Sequence, residues 1–74
     1  MRLDPQSLET VCTEIAGLTH AITVRDDERR HEALERRRVQ IGGMIELARR
    51  LDDWRLRRFL EQHKDALTRL IEAD

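Results

Sequence analysis

Seventy-four residues can form one small domain and no more. Charged residues make up 39% of the chain and aromatics 3%, with one proline and three glycines. That balance favours helices with solvated faces over strands, which draw on aromatic and β-branched residues. Cys12 is the only cysteine, so an internal disulfide is excluded and a cysteine-based zinc site is not expected. No apolar run is long enough to cross a bilayer, and no leader-like apolar stretch opens the chain, so a cytoplasmic location without membrane contact is expected.

The first helix starts at a clear signal. Asp4 can accept from free N–H groups of the first turn, and Pro5 suits the first helical position, where an N–H would have no partner. Leu8, Val11, Cys12, Ile15, Leu18, Thr19 and Ile22 then share one face. Within that face Leu8, Val11, Ile15, Leu18 and Ile22 form a seam of coiled-coil type. A core this small rarely supplies more than ~3–5 kcal/mol. The seam is therefore expected to serve self-association, with a homodimer as the folded unit.

Beyond Ile22 the apolar stripe stops until Leu34. The helix either continues as a solvated rod or breaks near 23–27 and restarts on a Thr23 or Asp26 cap. A continuous, kinked rod is the expectation. The stripe resumes through Leu34, Ile41, Met44, Ile45, Ala48 and Leu51, interrupted by Gly42 and Gly43. Each glycine costs a helix interior about 1 kcal/mol relative to alanine, so the pair is expected to mark a close helix contact. LDDW at 51–54 reads as a turn, with Asp52 or Asp53 capping a closing helix. There Leu56, Phe59, Leu60, His63, Leu67, Leu70 and Ile71 face one way, and Glu61, Asp65, Arg69 and Glu72 the other. The expected fold is all-α: two or three amphipathic helices in a helical hairpin or coiled-coil-like bundle, completed by dimerisation. One domain spans 1–74, divided into an acidic region at 1–35 and a basic helix, turn and closing helix at 36–74.

The net charge of −1 conceals a strong asymmetry. Residues 1–35 carry four basic and eight acidic side chains. Residues 36–58 carry eight arginines against Glu46, Asp52 and Asp53. Residues 59–74 carry two basic and four acidic groups. Arg36, Arg38, Arg49, Arg50, Arg55, Arg57 and Arg58 are the candidate partner-binding residues, since the guanidinium fork fits phosphate and carboxylate oxygens. Arg37 projects beside Leu34 and Ile41, where its aliphatic stem covers the buried stripe. The bland alternative is a solvated face with i,i+4 pairs at Glu32–Arg36, Glu46–Arg50 and Arg57–Glu61. Trp54 and Phe59 are the only aromatics, so no stacking platform for single strands is expected. His31 and Glu35 stand one turn apart, and His63 lies on an apolar face as a packed residue. No nucleophile has a base at a recognisable spacing, and no phosphate loop is present. Catalysis, a cofactor, a metal and a small-molecule substrate are not expected.

The stretch RRRVQIGGMIELARRLDDWRLRRFLEQHKDALTRL, residues 36–70, resembles the C-terminal part of small TraD-like mobilisation and conjugal-transfer accessory proteins. Ile41, Gly42, Gly43, Met44 and Ile45 match the centre of that pattern. Ala48, Leu51 and Asp52 match its end, and Arg57, Arg58, Phe59 and Leu60 match the closing helix. The resemblance implies a dimeric accessory factor of a plasmid or other mobile element that contacts DNA or a relaxase. The acidic N-terminal part departs from the pattern and leaves room for a protein partner. A phage- or plasmid-encoded inhibitor of the anti-CRISPR or anti-repressor type is the alternative, and a plain adaptor that completes a partner's helical bundle is a third.

Overall fold

The computed structural model describes residues 2–73. Three helices follow in order: α1 (Pro5–Thr23), α2 (Arg30–Arg50) and α3 (Trp54–Ala73). They run up, down and up in a body of 40 × 20 × 14 Å. The direction of α1 is fixed at both ends. Leu3 N–H donates to Asp53 Oδ2 at 2.9 Å beside the α2–α3 turn, and Arg30 Nε donates to the Thr23 carbonyl at 3.2 Å at the opposite end. α2 and α3 form the tighter pair, and α1 lies across them with less contact.

Helix starts and stops follow local chemistry. Asp4 accepts from Ser7 N–H at 2.8 Å, with Pro5 in the first turn, as the sequence indicates. The expected continuous rod is not formed. α1 ends at Thr23, whose hydroxyl donates to the His20 carbonyl, and the chain turns through residues 24–29. Asp27, rather than Thr23 or Asp26, organises the restart. Its Oδ1 accepts from Arg29 N–H at 3.0 Å, its carbonyl from Arg30 N–H at 3.2 Å, and its Oδ2 from Arg25. The physical reason is burial: a straight rod would leave Ile15 and Ile22 in water, whereas the break folds them onto the hairpin.

At the second turn α2 closes in a Schellman arrangement. Asp53 N–H donates to the Ala48 carbonyl and Asp52 N–H to the Arg49 carbonyl, with Asp52 in the left-handed region at φ 56°. Asp53 then caps α3, its Oδ1 accepting from Leu56 N–H at 3.2 Å. The two aspartates thus divide the turn between them, Asp52 ending one helix and Asp53 starting the next.

The core consists of Leu34, Ile41, Ile45 and Ala48 from α2, with Leu60, Leu67 and Ile71 from α3 and Ile15 from α1. This takes Ile15 out of the expected self-association seam. Ile15 is spent on the chain's own core, Val11 and Ile22 pack against it, Leu8 is half-buried, and Leu18 remains 58% exposed. Leu51, placed on the α2 stripe by periodicity, is also exposed.

The expected close contact at Gly42 and Gly43 is not made within this chain. A Cβ on Gly43 would meet nothing within 4 Å, and one on Gly42 would meet only Lys64 Nζ at 3.6 Å. The glycines fall where α2 turns from α3 towards solvent, so no backbone approaches them. Gly43→Ala should therefore stabilise the fold by about 1 kcal/mol, raising the thermal midpoint by roughly 4–8 °C. A calorimetric scan showing a lower midpoint would refute this.

Candidate partner-binding site

The α2–α3 turn collects five of the seven flagged arginines at one end of the bundle: Arg49 and Arg50 in the last turn of α2, and Arg55, Arg57 and Arg58 in the first turns of α3. They are not equally available. Arg55 Nη2 donates to the Leu3 carbonyl at 2.6 Å and holds the N-terminal segment in place. Arg49 pairs with Glu46 at 3.4 Å, and Arg57 Nε lies 3.8 Å from Glu61 Oε1, too far for a hydrogen bond. That Nε is buried without an acceptor. Among the described residues, Arg50 and Arg58 carry no ion pair and stand exposed.

Arg36 is exposed as well, and of the pairs that a merely solvated face would make, Glu32–Arg36 and Glu46–Arg50 are absent from the described ion pairs while Arg57–Glu61 is present. It lies fourteen residues from Arg50, about 21 Å along α2 at ~1.5 Å per residue. Arg38 is half-buried on the same helix. The structure thus brings five arginines together and leaves two apart.

The acids of the turn do not neutralise this end equally. Asp53 is 1% exposed, and its carboxylate is turned inward to Leu3 and Leu56 N–H. The Leu3 N–H holds its pKa below the usual carboxylate range, helped by Leu56 N–H and the charges of Arg55 and Arg2 against the cost of burial. Asp52 alone faces solvent in the turn.

Trp54 is the residue that pattern reading missed. It is 51% exposed and shares a shallow cleft with Arg49, Asp52 and Arg57. The signal was present: Trp54 lies six residues before Leu60, so at ~100° per residue it sits about 120° off the apolar stripe. Phe59, the other aromatic, stacks on His63 at a ring-centroid distance of 5.6 Å.

Arg37 departs from its expected place. It does more than cover the core with its stem: the residue is 5% exposed, and its guanidinium is buried between α1 and α2. Nε donates to Thr19 Oγ1 at 3.1 Å, Nη2 to the Ile15 carbonyl at 3.1 Å, and Nη1 to Gln40 Oε1 at 3.1 Å. Thr19 Oγ1 also lies 2.7 Å from His63 Nε2, linking all three helices through one hydroxyl. Among the described residues no carboxylate pairs with Arg37, so this cluster positions α1 and is removed from the binding surface.

The remaining features point to packing. Burial, then the charge of Asp53, pushes the Cys12 thiol up, which lowers its thiolate fraction. The open groove between α2 and α3, beside Gly42, mixes Glu46, Glu61 and Asp65 with Arg49 and Lys64. Among the described residues no group of three or more His, Cys, Asp or Glu side chains could hold a metal ion, and no helix is long and apolar enough to cross a membrane. Compared with protein-family models, curated proteins and solved structures, the chain matches none.

Proposed function

We propose that this protein is a non-catalytic accessory factor of DNA mobilisation or conjugal transfer that docks its arginine end on an acidic surface of a relaxase. The observation that carries the reading is the gathering of Arg49, Arg50, Arg55, Arg57 and Arg58 around a half-exposed Trp54. Tryptophan and arginine are the residues most enriched where binding energy concentrates in protein interfaces. The setting comes from the resemblance of residues 36–70 to small TraD-like proteins.

Numbers favour a protein over the DNA backbone. A protein held by DNA charge uses on the order of 6–10 phosphate contacts. Among the described residues at this end, Arg2, Arg50 and Arg58 carry no ion pair, which is still about half that number, and Arg49, Arg55 and Arg57 would have to leave internal partners. Trp54 is the only tryptophan, so its emission reports on this site directly.

The test is a fluorescence titration of the chain with a purified conjugative relaxase and, separately, with a duplex. The relaxase should shift Trp54 emission. Arg50→Glu with Arg58→Glu should weaken that binding at least ~10-fold while circular dichroism stays unchanged, since exposed charges contribute only about 0–1 kcal/mol to folding. Undiminished binding by the double variant would remove the arginine end from the mechanism. Duplex binding that fell by orders of magnitude between about 50 and 200 mM salt, with no relaxase signal, would make DNA the partner instead.

A further inference from the structure

We infer that α1 is a releasable arm, closed on the α2–α3 hairpin by arginines that an acidic protein surface can draw away from it. Three guanidinium groups of the hairpin tie the arm down, and each donates to a backbone carbonyl. Arg55 Nη2 reaches the Leu3 carbonyl at 2.6 Å just ahead of α1, and Arg37 Nη2 the Ile15 carbonyl at 3.1 Å in its middle. Arg30 Nε reaches the Thr23 carbonyl at 3.2 Å at its end. A carbonyl offers a guanidinium no counter-charge, whereas a carboxylate offers a full negative charge and two oxygens that match the fork. A partner rich in carboxylates therefore competes with α1 for the same donors.

Burial makes α1 the element that yields. Among the described residues α1 buries one apolar side chain, Ile15, whereas α2 and α3 together bury Leu34, Ile41, Ala48, Leu60, Leu67 and Ile71. An element with few buried apolar contacts opens ahead of global unfolding. The closed state also carries a burden. Arg37 is 5% exposed and none of its three acceptors is charged, so its guanidinium gives up water without gaining a counter-ion. Opening α1 returns water to that group. The route begins at the arginine end, where Arg50 and Arg58 are exposed and meet a partner first. Arg55, half-buried beside them, then passes to a carboxylate and frees the Leu3 carbonyl, which leaves the Leu3 N–H bond to Asp53. The inference gives the proposed docking site a regulator, and it rests on the reading of the partner as an acidic protein.

Native-state amide exchange of the full chain near neutral pH tests it, with poly-L-glutamate as the acidic probe and sodium chloride at equal ionic strength as the control for screening. The probe should speed exchange in residues 5–23 at least ~10-fold, the scale of one hydrogen bond to a charged group, and leave the α2–α3 core protected. Arg55→Met keeps the stem but removes the donor, so it should loosen α1 without any probe. Thr19→Asp should do the opposite. Thr19 Oγ1 lies 3.1 Å from Arg37 Nε and 2.7 Å from His63 Nε2, so a carboxylate there gives Arg37 the counter-charge it lacks and slows exchange in α1. Exchange in α1 that the probe fails to speed beyond the salt control, or that Arg55→Met leaves at the wild-type rate, overturns the inference. A folded Thr19→Asp chain whose α1 exchanges no slower than wild type does the same. Relaxase binding with α1 still protected would overturn this inference and leave the proposed function standing. Opening by poly-L-glutamate in a chain that ignores the relaxase would do the reverse.

Discussion

Leu67→Ala should leave much of the protein unfolded at room temperature, whereas Arg69→Ala, two residues away, should change stability by less than about 0.5 kcal/mol. Leu67 is 2% exposed at the centre of the α2–α3 core, and Arg69 faces water. Truncating a buried leucine to alanine costs ~2–5 kcal/mol, the spread reflecting how far the site can collapse. A core of this size supplies roughly 3–5 kcal/mol in all, so one substitution can consume most of it. Similar losses from Leu67→Ala and Arg69→Ala would mean that α3 does not pack by this face.

Acidification should destabilise the fold in the window where only histidine ordinarily titrates. Burial, followed by the positive charge of Arg37, holds the His63 pKa below its usual 6.5. Arg37 Nε can only donate to Thr19 Oγ1, which leaves the hydroxyl proton for His63 Nε2, and that nitrogen accepts only when the ring is neutral. The unfolded chain therefore takes up a proton before the folded one. The stabilisation is complete above pH ~6.5 and falls as pH drops from there through the folded-state pKa. Asp4, Asp27 and Asp53 have pKa values lowered from 3.8, so they enter only at stronger acidity. Urea midpoints measured from about pH 7.5 to 5 should fall for the wild type. They should stay nearly level for His63→Gln, whose amide oxygen can still accept from Thr19. A level wild-type profile would show that protonation does not burden the Thr19–His63 contact. Since that contact joins α1 to α3, the same loss should loosen α1 first, visible as earlier amide exchange in residues 5–23.

Much of the architecture was legible in the chain because it depends on local chemistry. The Asp4–Pro5 start, the turn at 51–54 and the apolar face of α3 each rest on a few neighbouring residues. Periodicity also placed Leu34, Ile41, Leu60 and Leu67 inside, and all four are at most 2% exposed. The arginine content of 36–58 was equally plain, since charge is read from composition alone.

What tertiary structure decided was how those pieces share surface. The break at 24–29 follows from long-range burial of Ile15 and Ile22, which a window of polar residues cannot reveal. Hairpin formation brought Arg49, Arg50, Arg55, Arg57 and Arg58 to one end and left Arg36 and Arg38 apart, although the seven look like one basic region along the chain. Arg37 shows the same limit from inside: its neighbours in sequence are half-buried or exposed arginines, yet it meets Thr19 and the Ile15 carbonyl across 18 and 22 residues. Side-chain identity and spacing determine which face of a helix is apolar. Whether a residue on that face meets core, solvent or a polar partner depends on the helix packed against it, and that contact is set by the whole chain.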